Sequence, residues 1–373
     1  MDSELELYRD TVRRFIKAEV IPHQKKWQEQ RHVDREIWSK AGELGLLLAD
    51  IPEEYGGTGG TFAHMAVFWE ELIAAGEVGF GTHVHAVAAH YIANNGTPDQ
   101  KKTYLPQLAS GEMIAAIAVT EPSAGSDVQS IRTVARRADG HYVINGSKTF
   151  ISNGHLADLV VVAVKTSPEA GTKGISLLLV EPRKVQGFRT GPILEMIGRK
   201  GHDVCEMFFD DVRVPEAAVL GGIEGKGFSQ LMKELPYERT LLGITAVSAM
   251  ERALSLAVEH AKQRKAFGKP LFELQNTRFK LAETKTKATV ARVFIDWCIQ
   301  QMLDGGIETD TASMAKWYLT EMQCDVIDEC LQLFGGYGYM TEYPIAQMYA
   351  DARVQKIYGG ANEIMKEIIA YSL

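Results

Sequence analysis

The sequence predicts an α+β protein in three parts. An N-terminal all-α domain covers residues 1–113, a middle antiparallel β-sandwich or barrel-like domain covers 114–221, and a C-terminal four-helix bundle covers 222–373. Three observations carry this reading. Helical spacings and alanine-rich stretches fill the first third, short runs of β-branched and aliphatic residues begin near Ile114, and long helical periodicities return after Gly221-Gly222.

In chain order, Leu5, Leu7, Val12, Phe15, Ile16 and Val20 fall at helical spacings before Pro22, and a second helix is expected over about 34–47. The stretch from Pro52 to Gly60 holds four glycines and breaks the pattern. Alanine-rich helix follows from about Phe62 to Asn94. Thr97 then suits a cap, Pro98 the first helical position and Asp99 the dipole of a further helix.

In the middle third, His141–Ile144 and Ser147–Ile151 flank Asn145-Gly146, which predicts a hairpin with a two-residue turn. Leu159–Val164 and Ile175–Val180 are wholly apolar strand candidates, and Met207–Phe209 with Val212–Val214 resembles a last strand. Beyond Gly222, amphipathic patterns cover about 226–265, 273–303, 310–333 and 342–370, and short links between them favour antiparallel packing.

A chain of 373 residues buries a full core without staples. Its net charge of −8 disfavours nucleic acid or an acidic membrane as a partner, so an anionic ligand would need a local basic site. Cys205, Cys298, Cys324 and Cys330 form no C-x-x-C pair; they read as reduced thiols and predict an intracellular setting. The acidic N-terminus lacks the apolar core of a secretory signal. No apolar run reaches the ~18 residues expected of a membrane helix. His83, His85 and His90 have no acid or cysteine cluster around them in sequence, so no metal site is expected.

Four tracts have the chemistry of a binding site, and each also has an ordinary structural reading. Ile117–Asp127 offers backbone N–H groups and hydroxyls on a turn, suited to a polar ring edge or an anion, or is simply a strand-to-turn connection. Phe150 and Ser152 end a strand, where an aromatic could lie on a planar ligand or pack in the core. Lys262–Lys269 closes a long helix with cations that complement its dipole or pair with phosphate. Gln332–Tyr339 is a glycine corner, either a helix cap or a place of close ligand approach. Glu238 reads as an acid favoured by the helix dipole if the helix proper begins at Pro236.

Taken together, five tracts resemble the acyl-CoA dehydrogenase family: Val119–Asp127, Ile144–Gly154, Gln263–Lys269, Gln332–Gly338 and Ile357–Ile364. The resemblance spans essentially the whole chain and implies that family's helix–sheet–helix fold, non-covalent FAD and a homo-oligomer, commonly a tetramer. It places Ile117, Val119, Thr120, Phe150 and Ser152 around the flavin, and Ser126 on a phosphate of FAD or on the CoA arm. Phe150 stands where many members have tryptophan, Ser152 where many have threonine, and Ala361 where threonine is common. Arg264, Phe267, Leu271, Leu274, Gln275, Gln332, Gly335 and Gly336 match positions that reach the FAD of a neighbouring subunit, and Glu363 matches a further cofactor contact.

The family reaction inserts a double bond α,β to an acyl-CoA thioester. Many members carry the catalytic base at the position of Gly359, which this chain cannot use. The long-chain and isovaleryl branches instead place a glutamate before an arginine on the long helix, and Glu238-Arg239 matches that arrangement, with neighbouring tracts closer to the long-chain branch. The resemblance thus implies Glu238 as base and the Gly359 N–H as oxyanion donor. Tyr237, Arg239, Tyr358, Gly359 and Ser126 are implied at the substrate, with Arg239 supporting the CoA arm or the fold. An electron-transferring flavoprotein is the implied acceptor, in bacterial cytoplasm or the mitochondrial matrix. An oxidase using O2, or a non-catalytic flavoprotein scaffold, are the alternatives on the same frame. The acyl group is open.

Overall fold

The computed structural model describes residues 3–373. Helices α1 (Ser3–Phe15), α2 (Gln24–Gln30), α3 (Glu36–Glu43), α4 (Phe62–Ala74), α5 (Thr82–Asn95) and α6 (Pro98–Ala109) form the first third. The alanine-rich stretch is two helices, because Gly76 adopts φ +79° and turns the chain between them. At α6, Thr97 accepts from the Gln100 N–H and Gln100 returns a bond to the Thr97 N–H, a complete capping box behind Pro98.

The middle third is one curled sheet of β1 (Ala115–Ala118), β2 (Val134–Ala138), β3 (His141–Ser152), β4 (Leu159–Lys165), β5 (Ile175–Val180), β6 (Phe188–Thr190) and β7 (Val204–Pro215). Its pairings are antiparallel except that β1 and β2 run parallel to β4. The expected hairpin lies elsewhere. Strand β3 runs straight through Asn145-Gly146, and the turn is Asp139-Gly140, both at positive φ, between β2 and β3. Asn145-Gly146 is a bulge against β7, with Asn145 exchanging bonds with Asp211 across the gap. A Cβ on Gly146 would lie 2.7 Å from the Thr133 Cα, so glycine serves close backbone approach there, not a reversal.

Alternation explains why β4 is apolar throughout. Leu159, Val161 and Ala163 face the core shared with the helices, while Val160, Val162 and Val164 fill a second core on the other face of the sheet.

The last third holds α7 (Gly227–Gln263), a small hairpin of β8 (Lys265–Ala266) and β9 (Lys269–Pro270), then α8 (Gln275–Leu303), α9 (Thr309–Phe334), α10 (Pro344–Ala352) and α11 (Asn362–Tyr371). The fourth expected helix is thus two short ones, parted over 353–361 where Gly359 (φ +65°) and Gly360 (φ +95°) leave helical space. Helix α7 begins at Gly227 and carries Pro236 inside it. Glu238 therefore lies well beyond the first turn, and the dipole does not account for it. By length and composition α7 could cross a membrane, contrary to the expectation that no stretch would, but 67% of its apolar window is buried in the bundle.

Candidate active site

Two segments 121 residues apart in sequence meet at Glu238. A Cβ built on Gly359 would sit 3.5 Å from Glu238 Oε1 and 2.5 Å from Leu242 Cδ1. The carboxylate of Glu238 thus occupies the surroundings that a side chain at position 359 would enter, and Leu242, one turn along α7, closes the space to any larger residue there. Burial raises the Glu238 pKa above the usual carboxylate range, against the opposing pull of Arg239 and Lys316. The side chain is therefore a stronger base than a solvated glutamate.

The segment from Tyr358 to Asn362 is fixed from behind. Lys316, fully buried on α9, donates to the Gly360 carbonyl at 2.6 Å and to Asn362 Oδ1 at 2.7 Å. Arg239 is 2% exposed; its Nη1 bonds Ser313 Oγ at 3.0 Å and its Nε approaches the Gly359 carbonyl at 3.5 Å. Asn362 also bonds Thr320 and Glu321. Burial brings the Lys316 pKa down to about 8, so the ammonium beside Glu238 is held with little reserve. With the carbonyls engaged this way, the N–H groups of Gly359, Gly360 and Ala361 have no protein acceptor among the described residues. Consecutive unpaired N–H groups on a left-handed glycine turn form an anion-binding concavity.

Tyr358 and Tyr237 are placed differently from each other. The Tyr358 hydroxyl accepts from Arg199 Nη1 at 2.8 Å, and Arg199 also bonds the Val78 carbonyl, joining the middle domain to this segment. Tyr237 turns inward, stacked on His90 at 4.0 Å with its hydroxyl on Asp50. Arg239 likewise points into the bundle. His83 stacks on His202, and His85 bonds the Ala115 N–H and Leu108 carbonyl. No group of metal-ligating side chains occurs among the described residues.

On the sheet, a second irregularity displays Phe150. Pairing of β3 with β7 shifts register between Lys148 and Ile151, and Phe150 takes φ +59° with 67% of its surface exposed. A β-bulge that holds a bulky residue at positive φ is strained and re-aims its side chain. Beside it the Thr149 N–H bonds the Thr120 carbonyl. Buried Lys148 holds the Val119 carbonyl at 3.0 Å and the Glu121 carboxylate at 2.8 Å. Ile117, Val119, Thr120, Phe150 and Ser152 thus lie on the adjoining ends of β1 and β3, whereas Ser126 sits on the exposed turn beyond. A third group gathers at the end of α7. Arg264 packs over the Tyr337 ring, and Phe267 at the β8–β9 turn is 92% exposed with φ +53°. Leu271, Leu274 and Gln275 follow directly, and Gln332, Gly335 and Gly336 end α9. Glu363 is an exposed acid in the first turn of α11, after Ala361.

Lys316, Leu242, Arg199 and the Lys148–Glu121 pair were not among the residues singled out from sequence. The available signal was a lysine within the apolar face Ala312, Ala315, Leu319 of α9, which a buried stripe does not admit without a partner.

A planar aromatic ligand suits the displayed Phe150 and the adjoining strand ends, and the unpaired N–H turn beside a half-buried carboxylate suits a carbonyl that gains negative charge. The chain matches the family models for the acyl-CoA dehydrogenase N-terminal domain over residues 2–112, the middle domain over 116–212 and the C-terminal domain over 225–373. It is 48% identical over 371 residues to the mouse (Mus musculus) mitochondrial long-chain specific acyl-CoA dehydrogenase, covering 99% of this chain and 86% of that one. The crystal structure of an acyl-CoA dehydrogenase from Geobacillus kaustophilus superposes with a TM-score of 0.97 at 44% identity, covering 100% of this chain and 98% of that one. A glutaryl-CoA dehydrogenase from Mycobacterium smegmatis, solved in complex with FADH2, superposes with a TM-score of 0.91 at 27% identity, covering 100% and 95%. With all three domains matched in order around the Glu238–Gly359 site, this chain is a member of the acyl-CoA dehydrogenase family.

Proposed function

We propose that the protein oxidises an acyl-CoA thioester to the trans-2-enoyl-CoA, with Glu238 removing the α-proton. The observation that supports this most is the 3.5 Å approach of Glu238 Oε1 to the Cβ position of Gly359. A base mounted on α7 and one mounted on the C-terminal turn address the same point from different parts of the fold.

An α-proton is far too weakly acidic for a carboxylate in water. This chain answers in two ways. Burial strengthens Glu238 as a base, and the unpaired N–H of Gly359 or its neighbour stands ready for the thioester oxygen as charge develops on it. Arg239 and Lys316 are positioning residues. They hold the turn that carries those donors and keep positive charge near the carboxylate, which opposes the rise that burial imposes on its pKa. Phe150, Val119, Thr120 and Ser152 provide the wall for FAD, which when bound supplies the acceptor for the β-hydride. Ser126 and the cations at the end of α7 would serve phosphate groups, and Arg264 and Phe267 the FAD of a partner subunit. Electrons then pass to an electron-transferring flavoprotein. Four unpaired thiols support a reducing setting, bacterial cytoplasm or mitochondrial matrix.

The acyl chain would run along α7. Glu238, Leu242, Thr245, Ala249 and Arg252 share one helix stripe, and the last four of them line a cavity of about 280 Å³ that begins one turn below the base. Anaerobic titration of the FAD-loaded protein with acyl-CoAs of graded length tests the proposal. Loss of the oxidised-flavin absorbance, with one enoyl-CoA formed per flavin, is the expected result. Tight FAD binding without bleaching by any acyl-CoA would refute it.

A further inference from the structure

We infer that Arg252 is the end-stop of the acyl cavity and sets the longest chain the site accepts; this rests on the acyl-CoA reading above. Arg252 is shared by two voids. It lines the 280 Å³ cavity below Glu238 at the last position of the helix stripe, and it also lines a second cavity of about 470 Å³ between α1, α4, α7 and α8, bordered by Ser248, Leu256 and the ion-paired side chains around Arg292. Arg252 is the one residue common to the two linings.

Its fixation is slight for a charged group so placed. Nη1 donates to the Ala74 carbonyl at the C-terminus of α4, a favourable end for a cation. Nη2 lies 2.7 Å from where a Cβ on Gly76 would be, so a side chain at that turn would displace the guanidinium. Nε is buried without a hydrogen-bond partner. Among the described residues Arg252 makes no ion pair, although Glu251, its neighbour on the helix, pairs with Arg292. A side chain held by one carbonyl and bordering two voids is one whose removal would join them without breaking a network.

Length agrees with such a stop. Fourteen residues of α7 separate Glu238 from Arg252, and at ~1.5 Å per residue this is roughly 21 Å. With C–C bonds of ~1.5 Å at tetrahedral angles an extended chain advances ~1.3 Å per methylene, so from its α-carbon a palmitoyl chain spans roughly 18 Å and fits above the arginine, whereas a lignoceroyl chain spans roughly 28 Å and does not.

The test is the chain-length profile of kcat/KM, by flavin reduction, for the FAD-loaded wild type, Arg252→Ala and Arg252→Lys with octanoyl-, palmitoyl- and lignoceroyl-CoA. For wild type, lignoceroyl-CoA is expected to be poor. In Arg252→Ala the ratio of its kcat/KM to that of octanoyl-CoA should rise at least about tenfold, the scale on which pockets discriminate by methylene fit, with Arg252→Lys in between. An unchanged profile, or a uniform loss at all lengths with FAD still bound, overturns the end-stop. So does a wild-type preference for an ω-carboxyl acyl-CoA that disappears in Arg252→Ala, which would make the arginine an anion anchor instead. If octanoyl- and palmitoyl-CoA bleach the flavin in every variant, failure of the end-stop leaves the dehydrogenase reading intact. If none of the acyl-CoAs is oxidised by wild type, it is the dehydrogenase reading that fails.

Discussion

In the role proposed for Glu238, burial serves chemistry at a cost to stability. Its pKa is raised in the fold, so the native state holds a proton that the unfolded chain has already released. The ionised carboxylate therefore destabilises the protein increasingly as pH rises above the unfolded value, and fully above the folded one. Glu238→Gln is expected to raise the denaturation midpoint at pH 8 but not at pH 4, while flavin reduction is lost; an equal shift at both pH values would contradict buried ionisation. Lys316 works in the other direction on the same group. Lys316→Met removes a nearby cation, so the acid limb of kcat against pH should move to higher pH. It also leaves the Gly360 carbonyl and Asn362 Oδ1 short of a donor, at a cost of about 1–3 kcal/mol in equilibrium unfolding. Arg239 faces Glu238 as well, and Glu321 and Glu363 face Lys316, so the limb should shift without vanishing. The acid was legible in the sequence because glycine stands at 359 where an alternative base would be. Lys316 was not, since its partners lie 44 to 46 residues away and only folding brings them together.

At the scale of elements, the sequence misled where glycine had two possible meanings. Asn145-Gly146 has the composition of a tight turn, yet Asp139-Gly140 makes the turn and Gly146 makes room for Thr133. Local propensity cannot separate reversal from close approach, because the deciding atoms belong to another strand. The same limit hid the break between α10 and α11, where an amphipathic pattern continued through Gly359-Gly360. Strands β4 and β5 were readable because burial on both faces removes polar residues altogether. Gly359→Ala tests the glycine turn. Left-handed φ costs an alanine about 1 kcal/mol, and its Cβ would meet Leu242 Cδ1 at 2.5 Å. Lower stability and slower flavin reduction are expected, with the stability partly restored by adding Leu242→Ala. Full stability in the single variant would show that the turn is not constrained as described.

For the whole molecule, the order of helices, sheet and helices was legible from periodicity alone, whereas the assembly of the site was not, because it draws on all three parts. Arg199 bonds Tyr358 across the domains, and Phe267 is almost wholly exposed at the end of α7. An exposed aromatic at positive φ, next to Arg264, suits contact with a second subunit. Arg264→Ala is expected to purify with less FAD, its retention weakened by about tenfold if one charge-assisted bond is lost; the ratio of flavin to protein absorbance measures it, and an unchanged ratio would leave the cation with a purely structural role. On the proposed reading, the base on α7, the donors on the C-terminal turn and the aromatic wall on the sheet would act as one site only in the assembled protein.

The central claim is that one carboxylate, Glu238, takes the α-proton. Single-turnover flavin reduction by palmitoyl-CoA in FAD-loaded Glu238→Gln measures it directly. The account predicts a rate reduced by about 10⁴-fold or more with the flavin still bound, and a rate within about tenfold of wild type would contradict it.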